Sequence, residues 1–431
     1  MKQENLSSVE NQSPQMPTAL PGLVSLLLKE VPEVTHCAVA NAIFPSLAAH
    51  LCDVQIEELD RRFRTPIILC ALLAKQSSGK DAVNKPISRI MADIDAEDAV
   101  NRDREQAYRD LCKRCDSRRA KPEEPADLII RHLSANMTNA AFIRRLRHAN
   151  GATTYTSMDE LDTLRQLQGA GVDPMKICCL AYDAALYGQE RVGSNSESAF
   201  LKLKWCWNAS STIARGKRFF ANGVLDGTVS RINFCTIEKE RCVIRPKYEF
   251  HEADEESYMA ELKPYIDNLN RAKGRYSCPE ALAMAERMAD LCNERMVLTE
   301  NDIYDDYAAR AISIALRKAM VLYIADGCRW SREIEDFCLW SLDYDLWCKD
   351  LFFNEMLRKA EDGEEIVGMG RNENMLDSLD EKFTLKQASD MRVSKGLSLK
   401  GVYSMINNWV TRGFIVRISN GVYCKTSKCS K

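Results

Sequence analysis

The chain has 431 residues, 45% of them hydrophobic and 28% charged, with a formal net charge of −3. That balance excludes a disordered polyelectrolyte, and it leaves any nucleic-acid affinity to a local basic patch. No apolar run reaches the roughly 18 residues of a membrane span, and Met1 to Gln15 lacks an export-signal core, so a cytoplasmic protein is expected.

The 17 cysteines are scattered without a framework and read as reduced, mostly buried thiols. One Cys-x-x-Cys occurs, Cys112 and Cys115, with no second pair spaced to complete a zinc site. Residues 1–18 are polar and read as a flexible tail. Residues 19–50 show helical apolar spacing (Leu23, Leu26, Leu27, then Val39, Ile43, Leu47), broken at Pro32. Strands are expected at 53–59 and 66–73, a helix over 82–117, and a loop from Arg118 to Pro125. A strand at 127–132, a helix at 138–149 and strands at 152–158, 201–207 and 231–237 follow. Strands alternating with helices predict an α/β protein with a parallel sheet, and five such strands suffice for a RecA-like core over 51–247.

After Tyr248 the pattern becomes helical alone, over 251–273, 279–296, 301–325 and 330–361, which predicts a bundle spanning 248–361. Residues 362–371 read as a linker. The last sixty residues carry helices at 372–380 and 398–412, with Thr384 to Met391 and a turn between them. Two β-branched runs follow, joined by Asn420-Gly421, the strongest short hairpin signal. Helix, turn, helix and hairpin in that order predict a winged-helix domain over 372–431.

The chemistry is concentrated where the 66–73 strand runs into Ala74-Lys75-Gln76-Ser77-Ser78-Gly79-Lys80-Asp81. A tight loop after a strand turns backbone N–H groups toward phosphates, and a lysine reaches the β- and γ-oxygens. Ala74 stands where the full phosphate-loop pattern has its first glycine. Asp81 stands where a hydroxyl would hold Mg2+, a position from which a carboxylate can ligate the ion directly. The bland reading is an ordinary strand-to-helix loop with an exposed lysine, although a bare cation there opposes the helix dipole unless an anion joins it.

Asp159 and Glu160 end the 152–158 strand, where an acidic pair can hold magnesium and activate a water. The bland alternative is an acidic first turn. Asn208, with Ser210 and Ser211, is expected at the end of the 201–207 strand as a sensor of the γ-phosphate. Arg231 is the candidate arginine finger for a neighbouring subunit. From Gly396 to Lys431 there are six Lys/Arg and no Asp or Glu; Lys400, Arg412, Arg417 and Lys425 are the expected DNA contacts.

These residues resemble a family of bacterial mobile-element ATPases of unknown function, often associated with or fused to primase modules. Its phosphate loop, Ala-Pro-x-x-Ser-Gly-Lys, is matched at Ala74, Ser78, Gly79 and Lys80, with departures at Lys75 and Asp81. Its Glu-x-Asp-Thr-Leu motif is similar to Glu160-Leu161-Asp162-Thr163-Leu164. Asp226-Gly227-Thr228-Val229-Ser230-Arg231 and Ala315-Leu316-Arg317-Lys318-Ala319 resemble its later motifs. The resemblance covers about residues 20–360. It implies a helicase-type, oligomeric NTPase using ATP and Mg2+ on element DNA, with Glu160 as catalytic base and Asp162 as its helper; Asp81, Asp159 and Asp162 are the expected metal ligands. A primase, relaxase or integrase of the same element is the implied protein partner. The rival expectation is a catalytically degenerate scaffold that binds DNA through the winged helix and regulates excision or transcription.

Overall fold

Six consecutive buried residues, Leu69–Ala74, form the strand around which the fold is arranged. A strand apolar on both faces belongs inside a parallel sheet covered on both sides. The computed structural model describes residues 13–115, 122–123, 125, 127–167, 173–190, 198–224, 226–238, 255–299, 301–362, 374–395, 397 and 399–426. The first twelve residues of the expected tail, almost all of the linker, and Lys428 and Lys431 lie outside them.

Helices α1 (Gly22–Leu28), α2 (His36–Ala42) and α3 (Phe44–Ala49) precede strands β1 (Asp53–Glu57), β2 (Phe63–Arg64) and β3 (Leu69–Ala74). Then come α4 (Asn84–Ile90), α5 (Ala92–Arg114), α6 (Asn139–His148), β4 (Thr154–Met158) and α7 (Pro174–Tyr182). Strands β5 (Leu186–Gln189) and β6 (Ala199–Lys202) make a hairpin, followed by β7 (Trp205–Thr212), α8 (Ile213–Phe220) and β8 (Asn233–Cys235). The helical half comprises α9 (Glu255–Arg271), strand β9 (Lys273–Tyr276), α10 (Pro279–Thr299), α11 (Asp302–Ala325) and α12 (Arg332–Asp362). Last are β10 (Lys382–Thr384), α13 (Leu385–Ser394), α14 (Val402–Thr411), β11 (Ile415–Ser419) and β12 (Val422–Lys425).

The protein is α/β, and its main sheet is parallel, in the order β4-β7-β3-β8. Strand β7 therefore sits between β3 and β4, although it follows both in the chain. The segment expected as a strand over 127–132 contributes a single parallel bridge, His132 to Tyr155. Asp98 on α5 accepts from the backbone N–H groups of Arg131 and His132 (2.9 and 2.7 Å), taking donors that a longer ladder would use. Strand β1 is not in the main sheet. It pairs antiparallel with β2 and parallel with β9, a strand inside the stretch expected to be helical.

One hydrophobic cluster runs from Leu23 to Leu357, so the N-terminal helices, the sheet and the helical half share a core. Helix α11 lies at its centre, against α9, α10 and α12. A second cluster, built on Leu376, Phe383, Met405, Trp409 and Tyr423, holds the C-terminal unit. There Thr384 and Gln387 form a capping box at the start of α13, and Gly421 (φ 71°) turns the expected hairpin. Over the described residues 374–380 the expected helix does not form; residues 375–378 form turns, with Met375 and Leu376 buried. Trp409 Nε1 donates to Val297 O (2.9 Å) and Met375 N to Leu298 O (3.2 Å), tying this unit to α10.

Candidate functional site

Strand β3 ends at Ala74, and the chain leaves the buried sheet through exposed Lys75, Gln76 and Ser77. Ser77 (φ 55°) and Gly79 (φ 80°) are both left-handed. Such residues interleaved along a loop are how backbone amides are turned toward an anion, and glycine adopts the conformation without strain. Between them Ser78 is buried, its hydroxyl donating to Lys75 O (2.8 Å) and fixing the turn. Lys80 Nζ reaches back to the same carbonyl (3.3 Å). A carbonyl is a weak partner for an ammonium, and among the described residues it is the one hydrogen-bond partner of Lys80.

The helix expected to begin at 82 starts later. A 3-10 turn covers Lys80–Val83, and α4 has seven residues with Pro86 inside its first turn. So short a helix contributes little dipole, which leaves the loop amides and Lys80 as the principal positive features.

The neighbouring strands complete the site. Met158 of β4 pairs with Ala209 of β7, which sets the next residue, Asp159, beside Ser210. Ser210 Oγ donates to Asp159 O (2.7 Å). Ser77, Ser78, Gly79, Lys80, Asp81, Asn84, Asp159 and Ser210 line one concavity of about 280 Å³ at the C-terminal ends of β3, β7 and β4. Loop residues, a lysine, two carboxylates and a hydroxyl thus meet at one place. Open α/β sheets bind ligands at this end of their strands. The carboxylates of Asp81 and Asp159 are the groups that fit a divalent cation, with hard oxygen donors suited to Mg2+.

The remaining expected residues are distributed differently. Glu160 is exposed and paired with Arg215 of α8 (3.3 Å). Asp162 lies in the following 3-10 turn, 3.6 Å from Arg165. Asn208 is not at a strand end. It pairs with Cys70 in the middle of β7, because the ladder with β3 continues through its polar residues to Ala74 and Thr212. Its amide is occupied at both ends, accepting from Tyr155 Oη (2.8 Å) and donating to Ala42 O (2.6 Å). Burial pushes the Tyr155 phenol up and keeps it a donor. The polar side chain of β7 that reaches the concavity is Ser210; Ser211 beside it is buried.

Arg231 precedes β8 and so stands at the opposite end of the sheet from Lys80. Its Nη1 donates to Gly227 O (2.8 Å), and its Nε lies 3.6 Å from Asp183. Arg317, from the Ala-Leu-Arg-x-Ala segment, is fully buried. It donates Nε to Glu58 and Nη1 to Ile67 O (2.8 Å) and Tyr182 O (3.0 Å), so it joins α11 to β1, the approach to β3 and the end of α7.

Sequence reasoning missed Arg215 and Asn84. One signal was available for Arg215: it falls in the first turn of α8, capped by Thr212, where a cation opposes the dipole. In the C-terminal unit Lys400 lies in the turn before α14 and Arg412 at its C-terminal cap, about 18 Å apart by helical rise. Arg417 is on β11, bonded to Ser419 O and Asn420, and Lys425 ends β12. No protein-family model matches the chain, and no curated protein matches it.

Proposed function

We propose that the chain is a RecA-like nucleoside triphosphatase that binds ATP with Mg2+ and acts on DNA, in the replication or mobilisation of a genetic element. The observation that carries this reading is the concavity at the C-terminal ends of β3, β7 and β4. The loop amides and Lys80 would bind the β- and γ-phosphates. Asp81 and Asp159 would hold the metal ion. Ser210 takes the sensing role expected of Asn208, because the interposed β7 presents it between the phosphate loop and the acids. Glu160 would activate water after release from Arg215, and an exposed ion pair holds it by only about 0.2–1 kcal/mol.

The DNA-acting part of the proposal rests on the C-terminal unit, read as a winged helix. Helix α14 buries Val402, Met405, Ile406 and Trp409 and exposes Tyr403, Ser404, Asn407 and Asn408, a face with hydrogen-bonding side chains and no acid. From Met391 to Lys431 the sequence has no Asp or Glu, so phosphates meet no like charge there. ATP hydrolysis measured with and without single- and double-stranded DNA tests the whole reading. Turnover that DNA stimulates is the expected result; turnover that survives Lys80→Ala would end it.

A second reading is favoured by Asp81 at the hydroxyl position and by the Glu160–Arg215 pair: a non-hydrolysing scaffold that binds DNA and regulates. Tight DNA binding with no turnover in any condition would select it.

A further inference from the structure

We propose that the outer face of the β5–β6 hairpin is a contact site for single-stranded nucleic acid. The proposal deepens the DNA-acting reading and rests on it, but it uses residues that belong neither to the phosphate loop nor to the C-terminal unit. Leu186 and Phe200 are each 68% exposed, the most exposed large apolar side chains among the described residues. The hairpin register places them on one face, with Leu186 opposite Lys202 and Gly188 opposite Phe200. Lys202, two residues beyond Phe200, is exposed on that same face.

The other face is anchored. Tyr187 is buried, its hydroxyl donating to Asn139 at the start of α6 and its ring 6.1 Å from Phe142. Ala199 and Leu201 pack against the main core. The aromatic side chain is therefore carried outward on a hairpin whose back is fixed.

Gly188 keeps the Phe200 ring accessible. A Cβ there would lie 1.8 Å from Ala199 O, so no side chain fits, and none faces Phe200 across the pair. An uncovered phenyl ring presents its face for stacking, and every nucleobase has a matching π-face.

Charge distinguishes a nucleic acid from an apolar protein partner. Helix α6 packs against β6. Among the residues of α6, β5 and β6 there is no Asp or Glu, whereas Arg144, Arg145, Arg147 and Lys202 are cationic. Arg145 is committed to Glu105 (2.8 Å), and Arg147 is exposed. An exposed aromatic beside a lysine, backed by an acid-free helix, suits a strand with splayed bases and a phosphate backbone. Duplex DNA, whose bases are already stacked, cannot use Phe200 in this way.

The test is fluorescence anisotropy of labelled oligo(dT) over a salt series, using the full chain and the variants Phe200→Ala and Lys202→Gln, with a fluorescent ATP analogue titrated in parallel. Both side chains are exposed, so both variants should fold. Phe200→Ala is expected to weaken oligo(dT) binding by about fivefold or more. Lys202→Gln is expected to reduce the slope of log affinity against log salt by about 0.7, the loss of one phosphate contact. Nucleotide binding should be unchanged in both. Oligo(dT) affinity and salt slope equal to wild type in both variants would overturn the proposal. So would a Phe200→Ala effect that appears only as altered oligomeric state by light scattering. A wild-type chain that binds oligo(dT) but no nucleotide would defeat the ATPase reading and leave the hairpin site standing.

Discussion

The two ends of the parallel sheet treat their cations in opposite ways. At the C-terminal end Lys80 is half-buried, and its one hydrogen bond among the described residues is to a carbonyl of its own loop. At the N-terminal end Arg317 is fully buried, and its guanidinium bonds Glu58, Ile67 O and Tyr182 O while lying 4.0 Å over the Tyr182 ring. Both come from motif-like segments of the sequence, Ala74–Asp81 and Ala315–Ala319. One end is closed by its own contacts and serves stability; the other has loop geometry, two carboxylates and a weakly held ammonium facing a concavity. A motif residue is thus better judged by whether its polar atoms are already engaged than by its place in a pattern.

The comparison breaks most visibly at Arg317. Arg317→Met should cost about 3 kcal/mol or more in urea unfolding, because it leaves Glu58 buried with only Arg64. A loss below about 0.5 kcal/mol, the range of ordinary surface substitutions, would show that the closed end is not structural.

Asp81→Thr sharpens the open end. Replacing one of the two carboxylates proposed to hold the metal with a neutral hydroxyl should weaken Mg2+–ATP binding by about fivefold, corresponding to about 1 kcal/mol for solvated charges near 4 Å. Stability should not change. Tighter binding would mean that Asp81 acts on the phosphates as a like charge and does not hold the metal.

Arg215→Ala releases Glu160. It should alter unfolding free energy by less than about 1 kcal/mol while raising basal ATP turnover by about two- to fivefold, as measured by phosphate release.

The smallest effect belongs to Asp60 at the closed end, whose two oxygens accept from Arg64 (2.8 and 2.6 Å). The Arg64 guanidinium holds this carboxyl down at about 2, from an ordinary value of 3.8. A lowered folded value means that the stabilisation is complete above 3.8 and is lost as pH falls toward 2. The pair is partly exposed, so the gap between wild type and Asp60→Asn should be under about 1 kcal/mol near neutrality and should close with acidification, read from urea midpoints. A gap that widens in acid would reverse the assignment.

Much of this architecture was legible in the chain. Leu69–Ala74 announced itself by continuous apolarity, the glycine at 79 by the loop it must turn, and the last hairpin by Asn420-Gly421. The sites that escaped did so for identifiable reasons. Polar Asn208 looked like the end of a strand because sequence does not show that β3 runs alongside it for four more residues. Strand β9 was hidden between two helices because its partner β1 lies more than two hundred residues away. The β5–β6 hairpin carries Gly188 and alternating exposure that only the fold sorts into an inner and an outer face. Arg317 could be noticed in sequence, but its partners come from three separate segments, which no local pattern encodes.

The most direct test of the central claim is titration of a fluorescent ATP analogue with Mg2+ into the wild-type chain and into Lys80→Ala. The account predicts saturable binding by the wild type and a loss of at least about tenfold in the variant, with unfolding midpoints unchanged. Absence of binding by the wild type, or equal affinity in the two proteins, would contradict it.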